Sequence, residues 1–135
     1  MQDIMVPSPD SVHKALMNYV GEIRFGPAYY SLTLDQISFG ERVFGDAYLW
    51  SPDSKFCAVQ EWETTSEGRG PQTRLLLVDL KGRKECILSR AEKGFIVPKL
   101  FEDGKLIYTK EYYGPRRSSE FEIEFLLLKS WDKLN

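Results

Sequence analysis

Apolar and polar positions along the chain change period once. Val12, Ala15, Leu16, Tyr19 and Val20 fall at i, i+3, i+4, i+7 and i+8, the spacing of one buried stripe on a helix. His13, Lys14, Met17 and Asn18 fall on the other side. Ser8-Pro9-Asp10 reads as the start of that helix. Ser can cap an orphan amide, Pro is pre-organised for the first turn, and Asp suits the positive end of the dipole. Gly21 stands where a left-handed residue would end it. The spacing predicts a helix over about 9–20.

From about residue 22 to 128 the pattern is that of strands and turns. Tyr29–Leu34 alternates, with Tyr30, Leu32 and Leu34 on one face. Phe44–Trp50 and Lys55–Glu63 are predicted strands joined by Ser51-Pro52-Asp53-Ser54, where Pro pre-sets a turn dihedral and Asp can bond its own backbone. Arg74–Leu80 returns through Lys81-Gly82 as Arg83–Ser89. Phe95–Leu100 and Lys105–Tyr113 flank Glu102-Asp103-Gly104, a hairpin signal. Ser119–Leu128 sets Phe121, Ile123 and Phe125 against Glu120, Glu122 and Glu124. Two polar loops, Thr64–Gln72 and Gly114–Ser118, read as hairpin tips. The expected fold is one mainly β domain over 1–135: an antiparallel meander, as open sheet or sandwich, with one N-terminal helix.

Trp50-Ser51-Pro52-Asp53-Ser54-Lys55-Phe56-Cys57-Ala58-Val59 resembles the W-S-P-D-G-K-x-x-A-V repeat of TolB-like β-propellers, and Leu75–Gly82 is similar to the strand that follows it in a blade. Phe101–Tyr108 is a weaker second copy, its turn about 50 residues on, an interval that suits blade repeats. Ser54 stands where the repeat has Gly, and the second copy lacks Trp-Ser-Pro. A closed propeller needs about 4–8 four-stranded blades, and a chain of 135 residues has room for about two. The resemblance therefore implies blade-like sheets packed together, used as an interaction scaffold, with no catalytic group in the repeat.

Composition narrows the chemistry. With 18 basic and 20 acidic side chains the net charge is −2, without the basic excess of a general phosphate binder, so no nucleic-acid partner is expected. Two cysteines, Cys57 and Cys86, exclude a disulfide scaffold and a four-Cys zinc module. Each lies among core-type residues and is expected to be a free, at least partly buried thiol. No apolar run approaches the ~20 residues of a membrane helix, and the first residues lack a basic segment followed by a long apolar one; neither a membrane partner nor secretion is expected. A cytoplasmic protein is the resulting expectation. His13 is the single imidazole, no G-x-S-x-G elbow or phosphate loop occurs, and no metal or cofactor is expected.

What remains is binding. By size, acidity and lack of catalytic motifs the chain is similar to immunity proteins, which neutralise a bacterial toxin by occluding its active site. The expected partner is a protein with a basic cleft, met by a sheet face bearing carboxylates and aromatic anchors. The candidate partner-binding residues are Glu61, Trp62, Glu63, Tyr112, Tyr113, Glu120, Glu122 and Glu124. The alternative is a blade-like scaffold or homodimerisation domain acting through edge-strand pairing.

Overall fold

The computed structural model describes residues 2–24, 26–66, 68, 70–112 and 117–134. Its strands are β1 (Ile4–Pro7), β2 (Lys14–Glu22), β3 (Ala28–Leu34), β4 (Ile37–Ser38), β5 (Val43–Trp50), β6 (Phe56–Trp62), β7 (Gln72–Asp79), β8 (Lys84–Glu92), β9 (Gly94–Glu102), β10 (Lys105–Tyr112), β11 (Ser118–Ile123) and β12 (Asp132–Lys133). A 3-10 turn covers Phe125–Leu127. Pairing is antiparallel throughout: a large open sheet in the order β1-β2-β3-β5-β6-β7-β8-β12, with β4 beside β3, and a small sheet β11-β10-β9. Among the described residues, no helix is long and apolar enough to cross a membrane.

The expected mainly β, antiparallel architecture is found, and the expected N-terminal helix is not. Residues 14–22 form β2, with Ala15 and Met17 buried, Val20 exposed, and Val12 72 % exposed in the turn before the strand. The segment also contains a period-two series, Ala15, Met17 and Tyr19, which takes in Met17 from outside the helical stripe, and that series is the one the core uses. Tertiary pairing decides between the two periods: β2 is held between β1 and β3, so its inward residues meet Leu32 and Leu34. The predicted strand at 119–128 is also shorter, because the chain turns after Ile123 to bury Phe125.

Ser8-Pro9-Asp10-Ser11 repeats the tetrapeptide Ser51-Pro52-Asp53-Ser54 and makes the same turn. In both, the first Ser hydroxyl donates to the Asp carboxylate (2.6 and 2.7 Å). It also accepts a backbone N–H five residues on (3.0 Å in each). The fourth residue is left-handed in both, at φ 63°. The Ser hydroxyls hold both Asp carboxyls below the usual carboxylate range. The turns touch, Asp10 N–H donating to Ser54 Oγ at 3.0 Å.

A left-handed Ser is strained at both positions, whereas Gly adopts this conformation freely. Ser11→Gly is expected to stabilise the fold by roughly 0.5–1 kcal/mol. Ser54→Gly gains less, because it removes the hydroxyl that accepts from Asp10, a bond worth about 1 kcal/mol. Urea unfolding of the two variants checks the ranking; an equal or larger gain for Ser54→Gly would contradict it.

The central strands β6 and β7 are buried on both faces, which is why they read as near-continuous apolar runs, Cys57-Ala58-Val59 and Leu75-Leu76-Leu77-Val78. One face joins Met17, Leu32, Leu34, Phe44, Trp50, Cys57, Val59, Leu76 and Val78 into a core running from β2 across to β7. The other buries Ala58, Leu75 and Leu77 beneath Ile96, Phe101, Leu106 and Tyr108 of the small sheet, with Phe125 closing one end.

Buried polar side chains fasten the small sheet to the large one. Thr73, fully buried, donates to Gly94 O (2.9 Å) and accepts from Ile96 N–H (3.0 Å). Gln60 Nε2 donates to Ile96 O at 2.9 Å, and Gln60 Oε1 accepts from Trp62 Nε1 at 2.7 Å. These side chains satisfy the backbone groups on the edge of β9 that no strand pairs.

Candidate functional site

β11, the outer strand of the β10–β11 hairpin, is the most exposed part of the small sheet. Cross-strand partners share a face, so the register places Ile107 with Glu122 and Leu100, Thr109 with Glu120 and Val97, and Glu111 with Ser118 and Phe95 on the side turned from the core. Tyr108, Phe121 and Pro98 occupy the opposite side. There Phe121 stacks on Tyr108, ring centroids 5.5 Å apart, and carries Lys110 Nζ over its face at 5.0 Å.

The outward side is acidic. Glu120, Glu122 and Glu124 are all exposed, Glu124 lying just past the strand as the residue before the 3-10 turn. Glu122 meets Lys105 and Glu111 meets Lys99, both at a loose 3.4 Å. Glu120 and Glu124 have no ion-pair partner among the described residues. Such exposed pairs bind weakly and leave the carboxylates available.

Beside this face lies a crevice of about 280 Å³ where Phe95, Val97 and Glu111 meet Pro27, Ala28, Trp62 and the Gly45-Asp46-Ala47 bend of β5. The bend coincides with a register shift against β6. Gly45 is required there: a Cβ would run into Gln60 Oε1 and lie 2.8 Å from Trp62 Nε1. Asp46 is exposed at its rim, which extends the acidic surface onto the large sheet.

The other sequence candidates sit elsewhere. Glu61 was expected on an open sheet face, but it is 3 % exposed. Arg42 grips both its oxygens (2.8 Å each), Arg74 bonds both from the other side (3.0 and 3.1 Å), and Arg42 also spans to Glu85 (2.7 and 3.0 Å). Burial pushes the Glu61 carboxyl up, and the bonds from Arg42 and Arg74 outweigh it, so the group sits below its ordinary value. The same bonds from Glu61 raise the Arg42 guanidinium. Trp62 is also buried, against Tyr29 (5.4 Å) and Phe95 (6.0 Å). Neither residue is part of an open surface: they face opposite sides of β6, and both sides are covered there, Glu61 by Arg42 and Arg74 and Trp62 by Tyr29 and Phe95.

Glu63 is half-exposed and pairs with Arg90 at 2.7 Å. Tyr112 is half-buried with the Arg117 guanidinium 5.0 Å above its ring, at the far end of the same hairpin as the glutamates. Tyr113 lies outside the described residues. The structure thus brings Tyr112, Glu120, Glu122 and Glu124 onto one hairpin and leaves Glu61, Trp62 and Glu63 on the large sheet. Sequence reading missed Asp46 and Glu111; the exposure of Asp46 follows from a bulge that alternation does not reveal.

The reactive side chains are placed apart. Cys57 and Cys86 are free and buried, and their partners Val78 and Leu77 face opposite sides of β7. Burial pushes the Cys57 thiol up to about 12, which keeps it protonated at neutral pH. His13 Nδ1 lies 2.7 Å from Asp35 Oδ2, and its ring stacks over Trp50 at 6.3 Å. Among the described residues, no three His, Cys, Asp or Glu side chains are grouped to hold a metal ion. Compared with family models, with curated proteins and with solved structures, the chain matches none of them.

Proposed function

We propose that the chain is a non-enzymatic protein-binding domain whose outward small-sheet side covers a basic cleft on a partner, as an immunity protein covers the active site of a toxin. The observation that carries this reading is the contrast within one fold. Glu61 is enclosed by two arginines, while Glu120 and Glu122 on β11 and Glu124 just past it stand exposed. A carboxylate row of that kind raises the association rate with a cationic surface and disfavours acidic partners. Tyr112 is on the same hairpin but shares the side of Tyr108 and Lys110, so the carboxylates alone define the proposed contact side.

The test is capture and inhibition. Chemical cross-linking in the host, with wild-type chain and with Glu120→Lys/Glu122→Lys/Glu124→Lys as baits, is expected to recover one protein with a basic cleft from the first and at least tenfold less of it from the second. An equimolar amount of wild-type chain should then suppress that protein's own activity. Recovery of the same protein by both baits, or binding without inhibition, would overturn the reading.

A further inference from the structure

We infer that β11 is a strand-addition edge, and that it accepts an extended partner segment carrying Lys or Arg at alternate positions while rejecting a second copy of itself. This rests on the protein-binding reading and adds how the partner is held. Among the described residues β11 pairs only with β10. Half of its backbone N–H and C=O groups therefore point outward without a strand partner, the usual template for an added strand. Every residue from Ser118 to Glu122 is exposed, so nothing else in the described chain covers that edge.

Charge decides which strand fits. Self-pairing with the outward faces kept together sets like charges opposite one another. Centred on Glu120, that residue meets its own copy; centred on Phe121, Glu120 meets Glu122 twice. Like charges directly opposite are destabilising in a sheet. A segment with basic residues at every second position turns the same geometry into cross-strand ion pairs. Its intervening residues would fall beside Phe121, which is 38 % exposed. Repulsion of the wrong strand and attraction of the right one come from the same two glutamates.

The test uses a defined probe, an acetylated and amidated peptide of alternating Lys and Val matching the six residues of β11. Chemical-shift mapping is expected to place it on β11, with amide protection gained there. Three controls are each expected to weaken binding at least tenfold: an alternating Glu-Val peptide, the Lys-Val peptide methylated on every backbone nitrogen, and the Glu120→Lys/Glu122→Lys chain. Separately, Glu120→Thr/Glu122→Thr should turn the monomeric edge into a self-associating one by sedimentation, at concentrations where wild type does not associate. Equal binding of the methylated peptide would overturn strand addition and leave simple charge attraction. If the Lys-Val peptide fails while the Glu-to-Lys bait still loses its cellular partner, strand addition is refuted and the protein-binding reading stands.

Discussion

Replacing Glu61 with Leu is expected to lower stability by about 3 kcal/mol, read as a fall in the urea midpoint at unchanged slope. Glu61 holds four hydrogen bonds from Arg42 and Arg74 in an almost fully buried position. Leu fills the space but strips Arg74 of its partner and leaves Arg42 with Glu85 alone. The two arginine side chains keep 31 % and 22 % exposure, so they can reach water in part. That places the loss at the lower end of what breaking a buried ion pair costs. Adding Arg74→Leu should recover part of the loss, because it removes the orphaned charge. A change under 0.5 kcal/mol in the single variant would show that the cluster holds nothing together.

The same cluster sets an acid limit. The Glu61 carboxyl is lower in the folded chain than its ordinary value of 4.5, so the unfolded chain takes up a proton first. The stability it contributes is complete above about that pH and is lost as the pH falls through the depressed folded value. Wild type should therefore lose stability steeply in acid, and Glu61→Leu should lose less over the same range.

Thr73→Val is expected to cost about 2–5 kcal/mol while barely changing shape. Val replaces the hydroxyl that both donates to Gly94 O and accepts from Ile96 N–H, leaving two buried backbone groups unsatisfied. Thr73→Ser, which keeps the hydroxyl, should cost clearly less. Because β11 hangs from the large sheet through β10 and β9, the Val variant should also speed amide exchange across the small sheet more than across β6. Uniform acceleration in both sheets would mean that Thr73 does not fasten one to the other.

How far the sequence reveals these features depends on whether the cause is local. Strands β5 to β10 and the Asp103-Gly104 turn are readable because alternation and turn chemistry act over a few residues; both turn residues are left-handed, as a two-residue hairpin demands. The first Ser-Pro-Asp-Ser turn reads as a helix start as long as its likeness to the second is not used. Ser8-Pro9 fits a helix cap as well as a turn, and only its identity with the tetrapeptide at residue 51 tips the reading toward β2. The Glu120–Glu122 alternation led to the exposed face for the same local reason. Glu61 was not legible in this way, since its partners Arg42 and Arg74 stand 19 and 13 residues away and meet it only through strand pairing: Arg74 lies directly opposite it on β7, and Arg42 precedes β5, where Val43 pairs with Trp62. Trp62 follows the same logic: its burial depends on Tyr29 and Phe95, from separate strands.

The salt dependence of the association rate with the captured partner tests the central claim most directly. Steered association falls steeply as added ions screen exposed charge, over a Debye length of about 10 Å at 0.1 M. The wild-type on-rate is expected to drop at least tenfold between low and physiological ionic strength, and that of Glu120→Lys/Glu122→Lys/Glu124→Lys to start lower and respond far less. Matching on-rates and matching salt slopes for the two chains would contradict the claim that the small sheet's carboxylates guide this protein to its partner.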